Sequence, residues 1–157
     1  MERRTFLTLA AKLGGATALG LVAGPALLTT LTPLFEGREP VWVPLGEVET
    51  FALGQVSHAV FEVPRDDRAQ SLRRRGVFVL RASPEEVTVF SRACTDLGCP
   101  VTWDAGSGWF YCPCHGGIFD QEGTPRAGPP KRPLYRYATR VEGGMLSIDV
   151  NSVPPMA

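Results

Sequence analysis

The sequence predicts an all-β protein, an antiparallel β-sandwich or small barrel that carries an inserted functional segment and follows one N-terminal transmembrane helix. The chain has 157 residues, which suits one domain with a short appendage. Its 17 glycines and 14 prolines indicate a backbone that turns often. The third observation is a series of short segments rich in β-branched and aromatic residues, which favour strands.

The transmembrane helix is predicted from a gap in the charges. No charged residue occurs between Lys12 and Glu36, so residues 13–35 form an uninterrupted uncharged run that is mostly apolar. A helix of this length crosses a hydrocarbon core of ~30 Å. The glycines of the run would weaken a helix in water but are tolerated in lipid.

The residues before this run predict the direction of insertion. Arg3 and Arg4 resemble a twin-arginine export signal, which directs folded proteins across the bacterial membrane, and an ordinary secretory signal is the alternative. Because basic residues stay on the cytoplasmic side, the remaining chain is predicted on the outer face of a bacterial membrane. We assign residues 1–35 to a signal that is retained as an anchor. The polar, turn-prone residues 36–40 are predicted to be a hinge.

The segment 41–157 is predicted to be one β-rich domain. The chain carries 16 basic and 16 acidic residues, a formal charge of +0, which argues against a nucleic-acid partner. Residues 91–130 stand apart, because they contain all four cysteines and one of the two histidines. Alternation or β-branched content predicts strands at 42–45, 59–63, 77–80, 87–90, 134–137 and 145–150.

Two short segments carry candidate metal ligands. Residues 94–100 (CTDLGCP) and 112–117 (CPCHGG) place cysteine, histidine and aspartate on loops rich in glycine and proline. Thiolate, imidazole and carboxylate groups on two tight loops suit one shared metal centre. Two plain disulfides are an alternative that an exported protein permits, although they leave the CPCH pattern unexplained. A structural zinc site is a further alternative, but its usual spacings differ from these.

The two segments resemble the paired loops of Rieske iron–sulfur proteins. In that family CxHxGC and CxCHG hold a [2Fe–2S] cluster, with two cysteines on one iron and two histidines on the other. The 15 residues between Asp96 and Cys112 match the family's separation, and residues 128–130 (GPP) correspond to its proline loop over the cluster. The resemblance covers nearly the whole chain and implies a Rieske-type sandwich with its cluster-binding part at 91–130.

The resemblance also implies a role for each site residue. Cys94 and Cys112 correspond to the ligands of one iron, and His115 to a ligand of the other. Cys99 and Cys114 occupy the positions of the family's inter-loop disulfide, which would stabilise the loops by about 2–4 kcal/mol.

One position departs from the family pattern. Asp96 stands where the first histidine belongs, and we expect it to be the fourth ligand, since a carboxylate also binds iron. A site that has lost its metal is the alternative. His58 lies far from both loops in the sequence, and we expect it to be a surface or core residue rather than a substitute ligand.

The pattern further predicts a low redox potential. A carboxylate in place of a neutral imidazole adds a negative charge, which disfavours adding an electron. Gly117 and Phe119 replace the serine and tyrosine that donate hydrogen bonds in high-potential members, and neither side chain can donate. We expect a midpoint at or below about −150 mV, which suits a menaquinol donor.

The resemblance implies an electron-transfer subunit rather than an enzyme alone. It would take one electron from quinol, with His115 facing the quinol site, and pass it to a cytochrome c-type acceptor. Its expected partners are a cytochrome b-type subunit, quinol and that acceptor, in the iron–sulfur subunit of a quinol–cytochrome c reductase or b6f-type complex. The alternatives are a subunit of a periplasmic molybdenum oxidase such as arsenite oxidase, and a disulfide-stapled interaction domain without a cluster.

Overall fold

The computed structural model describes residues 3–35, 39–63 and 74–154, in two compact units, 1–38 and 39–157. The described residues of the first unit form one helix, α1 (Arg3–Phe35), which contains the predicted span. Its part from Arg3 to Thr32 is long and apolar enough to cross a membrane, a property that signal sequences share. Residues 36–38 of the predicted hinge lie outside the described residues.

Five threonines of α1 have their hydroxyl groups satisfied within the helix. Each donates to a carbonyl three or four residues earlier, as Thr17 Oγ1 does to Leu13 O at 3.0 Å. A helix that satisfies its own polar groups suits a hydrocarbon environment. The same pattern holds at Thr8, Thr29, Thr30 and Thr32.

The second unit is built on two antiparallel sheets, which confirms the predicted all-β fold with one N-terminal apolar helix. The larger sheet has the order β1-β10-β9-β4-β3-β2. Its end strands β1 and β2 also contact each other, so the sheet is rolled towards closure. The strands are β1 (Trp42–Glu47), β2 (Val56–Glu62), β3 (Arg74–Arg81), β4 (Val87–Ser91), β9 (Arg136–Glu142) and β10 (Met145–Asp149), with a 3-10 turn at Val48–Thr50.

One predicted strand of the larger sheet is displaced. The pattern placed it at 134–137, whereas β9 begins at Arg136 and continues to Glu142. Pairing with β10, from Ala138 opposite Asp149 to Glu142 opposite Met145, extends the strand through polar residues. Strand β9 is mostly exposed and is paired with β10, so it needs no alternation of apolar and polar residues. The alternation pattern therefore placed the strand too early, at 134–137.

Strand β3 is buried on both faces. Val77 and Val79 point into one core, whereas Phe78 and Leu80 point into a second core. Successive residues of a strand face opposite sides, so a continuous apolar run serves two cores at once. The first, or main, core consists of Val43, Val48, Phe51, Phe61, Val77, Val79, Val89, Ala93, Tyr137, Leu146, Ile148 and Val153.

The second core, called the site core here, joins the larger sheet to the smaller one. Phe110 lies at its centre, with ring centroids 5.1 Å from Phe78, 5.8 Å from Phe90 and 4.6 Å from Trp103. The site core consists of Phe78, Leu80, Phe90, Cys94, Val101, Phe110, Cys112, Phe119 and Leu134. Two candidate ligands, Cys94 and Cys112, therefore belong to this core.

The smaller sheet lies within residues 91–130, where the sequence predicted an insertion but no strands. Its order is β5-β6-β7-β8. Strands of three or four residues between glycines and prolines are too short for a periodic pattern to appear. They are β5 (Thr102–Asp104), β6 (Trp109–Cys112), β7 (Gly117–Phe119) and β8 (Pro125–Ala127).

Candidate metal centre

The first site loop leaves the larger sheet after β4 and is closed by backbone hydrogen bonds. The Cys94 N–H donates to Cys99 O at 2.8 Å, and the Gly98 N–H donates to Cys94 O at 2.9 Å. An isolated bridge between Ala93 and Pro100 closes its base. The chain reverses within a few residues because Gly98 has a φ of +74°, which other residues rarely adopt.

The second site loop is the tip of the β6–β7 hairpin. Cys112 pairs with Gly117 at the last rung of the hairpin, and the Gly116 N–H donates to Cys112 O at 3.1 Å. Residues 113–116 therefore form a tight turn that carries Cys114 and His115 at its exposed end.

The predicted proline loop packs against this turn. A Cβ on Gly128 would stand 2.6 Å from Gly116 O, so the two backbones are too close for a side chain there. A Cβ on Gly117 would likewise stand 2.8 Å from Cγ of the buried Pro130. Residues 128–130 thus cover the second loop through glycine contacts.

The four cysteines divide into one disulfide and two free thiols. Cys99 and Cys114 form a disulfide that joins the two site loops. Cys94 and Cys112 are free, and they are buried at 2% and 3% exposure. Sγ of Cys112 lies within 4.8 Å of both disulfide sulfurs, but bonded sulfurs offer no thiolate to a metal.

The two free thiols lie beside each other, in an environment that opposes a charge on Cys94. Burial raises the pKa of the Cys94 thiol, and the adjacent Cys112 raises it further, while a hydrogen bond from the Asp96 N–H lowers it. Two neighbouring buried thiolates are costly unless a cation compensates them. A metal bound to both sulfurs supplies that compensation.

Asp96 and His115 meet at the surface end of the same site. Oδ2 of Asp96 lies 3.2 Å from Nδ1 of His115, and the side chains are 28% and 49% exposed. Two nitrogen or oxygen ligands of one tetrahedral metal, at bond lengths of about 2.0–2.2 Å, are separated by roughly 3.3–3.6 Å. The side chains are therefore spaced either for an ion pair or for a shared ion. Two thiols and this pair provide four donors, which fits a two-iron cluster.

Two polar residues whose hydrogen bonds support the site, Thr95 and Asp120, were not predicted from the sequence. Thr95 Oγ1 donates to Arg132 O at 2.7 Å and ties the first loop to the segment after the proline loop. Asp120, behind the second loop, accepts hydrogen bonds from the Thr124 N–H at 2.7 Å and from Arg126 Nε at 2.8 Å. A lone threonine or aspartate in a loop gives no sequence signal of such a partner.

The structure places His58 in a different part of the domain. It lies on β2, with its ring 5.7 Å from the Phe78 ring in an edge-on arrangement. The cleft that it lines contains none of the four candidate donors among its described residues. His58 is an exposed residue of β2 and not a candidate ligand, in line with the expected surface position.

Comparison with known proteins identifies the domain. The sequence model of the Rieske [2Fe-2S] domain matches residues 41–140. A carotenoid phi-ring synthase of Chlorobaculum tepidum is 44% identical over 89 residues, 55% of this chain and 14% of that protein. The cytochrome b6-f complex iron-sulfur subunit of Chlorobaculum thiosulfatiphilum is 28% identical over 148 residues, which are 94% of this chain and 75% of that subunit. The menaquinol:cytochrome c reductase iron-sulfur subunit of Geobacillus thermodenitrificans is 34% identical over 86 residues, 52% of this chain and 51% of that subunit.

Proposed function

Because the chain belongs to the Rieske [2Fe-2S] domain family, we propose that it is the electron-carrying iron–sulfur subunit of a membrane complex of cytochrome bc or b6f type. The cofactor of the domain is a [2Fe–2S] cluster, which supplies a centre for one-electron transfer when bound. The observation that carries the proposal is the disulfide between Cys99 and Cys114, which joins two loops that each bear a buried free thiol. The relatives named as iron-sulfur subunits support it.

The proposal assigns four ligands. Cys94 and Cys112 hold one iron through thiolates inside the site core, and His115 and Asp96 hold the other at the surface. The 3.2 Å separation of Asp96 Oδ2 from His115 Nδ1 supports the second pair. With Nδ1 turned towards Asp96, Nε2 is the imidazole nitrogen left to face a quinol hydroxyl, and it accepts a hydrogen bond from that hydroxyl once it has lost its own proton. His115 therefore positions the donor, while the disulfide and the proline loop hold the ligands in place.

The proposed donor is menaquinol, and the proposed acceptor is a cytochrome c-type protein. Positions 117 and 119 are the two expected to tune the potential, and neither carries a hydroxyl that could donate a hydrogen bond to the cluster. A side chain at Gly117 would collide with Pro130, and Phe119 is fully buried in the site core. Together with the Asp96 carboxylate, these positions favour a low potential and a low-potential quinol.

The proposed location is a bacterial membrane, with the domain on its outer face. Helix α1 serves as the retained anchor, and residues 36–40 let the domain swing between quinol and cytochrome. N-terminal sequencing of the mature protein tests the anchor. A mature start beyond residue 35 contradicts it.

Iron analysis and electron paramagnetic resonance test the cofactor assignment. We expect about two irons and two acid-labile sulfides per chain in protein from its native membrane, and a Rieske-type signal after dithionite reduction. Zinc in place of iron, or no metal, contradicts the proposal.

The substitution Asp96→His tests the fourth ligand. Exchanging a carboxylate for a neutral imidazole removes one negative charge, so the midpoint in protein-film voltammetry should rise. Asp104→His is the matched control, because that carboxylate is exposed on β5 and should leave the midpoint unchanged. An unmoved midpoint in Asp96→His, or a parent midpoint above about +100 mV, shows that Asp96 is not a ligand.

A second candidate is delivery of electrons to a membrane-associated enzyme instead of a cytochrome. The 44% identity to part of a carotenoid phi-ring synthase favours it. Mild purification from native membranes separates the candidates. Co-purification with a diheme b-type cytochrome supports the bc-type complex, whereas a cluster-bearing chain that purifies with a carotenoid-modifying enzyme supports the second candidate.

A further inference from the structure

A cleft that the electron-transfer role does not use lies between the two sheets. Its volume is about 380 Å³, within the usual range for small-molecule sites. It lies between strands β2 and β3 of the larger sheet and β5 of the smaller sheet. The lining residues are Val56, His58, Phe78, Arg92, Thr102 and Trp103.

Two side-chain nitrogens from the lining of this cleft converge over Gly76. If Gly76 carried a Cβ, that atom would stand 2.7 Å from His58 Nε2 and 3.0 Å from Arg92 Nη1. Both side chains therefore occupy the space that the missing Gly76 side chain leaves open. One carboxylate can accept hydrogen bonds from both nitrogens, because guanidinium and imidazole groups are its natural donors.

The guanidinium of Arg92 has a buried hydrogen-bond donor that is unsatisfied among the described residues. Its Nε is buried and has no hydrogen-bond partner among the described residues. Its Cζ lies 5.8 Å from the centre of the Phe78 ring, a contact that leaves the N–H groups free to bond elsewhere. A buried donor without an acceptor is costly, and an acceptor that enters the cleft removes that cost.

The charges around His58 and Arg92 favour an anionic ligand. None of the described residues that line the cleft is acidic. Burial lowers the pKa of His58, and the neighbouring Arg92 cation lowers it further. The Arg92 charge therefore has no acidic partner among the described residues of the cleft lining. The walls are apolar, since Val56, Phe78 and Trp103 contribute them.

We propose that this cleft binds a small organic monocarboxylate, with its carboxylate between His58 and Arg92 and its apolar body against Phe78 and Trp103. An inorganic anion would leave the aromatic walls without a partner. A neutral apolar molecule would leave the Arg92 charge uncompensated. The site is independent of the cluster ligands, because none of them lines the cleft.

Equilibrium dialysis with radiolabelled benzoate tests the proposal. The full chain is reconstituted in nanodiscs of zwitterionic lipid, and empty nanodiscs give the background. We expect saturable benzoate binding that unlabelled benzoate displaces much better than either acetate, which lacks the ring, or benzyl alcohol, which lacks the charge.

Three variants locate the site. Arg92→Gln should weaken benzoate binding by at least about tenfold, since it removes the charged donor. Gly76→Ala should do the same by filling the space that His58 and Arg92 share. Arg140→Gln is the matched control, because Arg140 also lies over an aromatic ring, that of Trp42 at 4.5 Å, but outside the cleft. Should Gly76→Ala fail to fold, Arg92→Gln against Arg140→Gln decides alone.

The proposal fails if no saturable binding is found, if benzyl alcohol competes as well as benzoate, or if Arg92→Gln binds benzoate like Arg140→Gln. Binding only of an acidic peptide, and not of benzoate, likewise overturns it in favour of a protein partner. Iron content and the reduced resonance signal, measured on the same samples, report separately on the proposed electron-transfer function.

Discussion

The main core and the site core are stabilised by different means. The main core is filled mostly by aliphatic and aromatic side chains from strands of five to eight residues. The site core rests on strands of three or four residues at its outer side. It therefore relies more on a disulfide, glycine contacts and single hydrogen bonds. The larger sheet is therefore stabilised mainly by side-chain packing. The smaller sheet depends more on the disulfide, the glycine contacts and single hydrogen bonds.

Of the changes that test this comparison, Phe110→Ala should cause the largest loss in free energy of unfolding. Phe110 is fully buried at the centre of the site core, so its loss should cost about 3–5 kcal/mol in free energy of unfolding. Phe61→Ala is the matched control, since Phe61 is 3% exposed in the main core. Denaturant titration of the full chain in detergent should give similar losses for both. Only Phe110→Ala should also lower the iron content of the folded protein, and equal iron content in both variants contradicts the division into two cores.

Removing the disulfide should have the next largest effect. The double variant Cys99→Ala/Cys114→Ala should lose about 2–4 kcal/mol, because the bridge closes a loop with a sequence separation of 15 residues. Since the bridge joins only the site loops, the visible absorption of the cluster should vanish at lower denaturant than the far-ultraviolet signal of the sheets. Coincident transitions that do not move from those of the parent protein count against this interpretation.

The glycine contact of the proline loop should contribute less. Gly128 and Gly144 have similar φ values of +86° and +83°, but a Cβ would collide with Gly116 only in the first case. Gly144→Ala therefore measures backbone strain alone, and Gly128→Ala measures strain plus the collision. We expect Gly128→Ala to be less stable than Gly144→Ala by about 1–3 kcal/mol, with slower incorporation of iron. Equal stability in thermal unfolding would mean that the loop moves away without cost.

The smallest effect is expected at Thr95. Its hydroxyl donates to Arg132 O at 2.7 Å, so Thr95→Val should cost about 0.5–1.5 kcal/mol. Thr102→Val makes the same change at a hydroxyl that lies 3.4 Å from its acceptor, Tyr111 O. That control should stay within about 0.5 kcal/mol of the parent in denaturant titration. A larger loss at Thr102 than at Thr95 would reverse the expected order.

Much of the larger sheet could be predicted from the sequence, because its strands are long enough to show alternation or a high β-branched content. The run from Val77 to Leu80 predicted a strand, and the structure shows why it is apolar throughout. The error at 134–137 arose where Leu134 belongs to the site core but not to β9. An apolar residue that is buried outside a strand gives the same local pattern as one that is buried within a strand. The sequence pattern alone cannot distinguish the two.

The smaller sheet and the cleft could not be predicted in this way. Strands β5 to β8 are too short for alternation, and they form because neighbouring strands and the site loops hold them. His58 and Arg92 are 34 positions apart in the chain, and nothing local connects them. Their convergence over Gly76 depends on the pairing of β2 with β3, in which His58 lies opposite Phe78.

The residue types and spacings of segments 94–100 and 112–117 indicated a shared metal centre, and their resemblance to the Rieske loops implied the family that the domain match shows. The apolar run at 13–35 was enough to predict a helix that can span a membrane. The meeting of Asp96 with His115, and the burial of both free thiols beside each other, were decided only by the folded chain. The physical reason is that such contacts join residues from different loops, whose approach is set by a disulfide, glycine packing and a shared core.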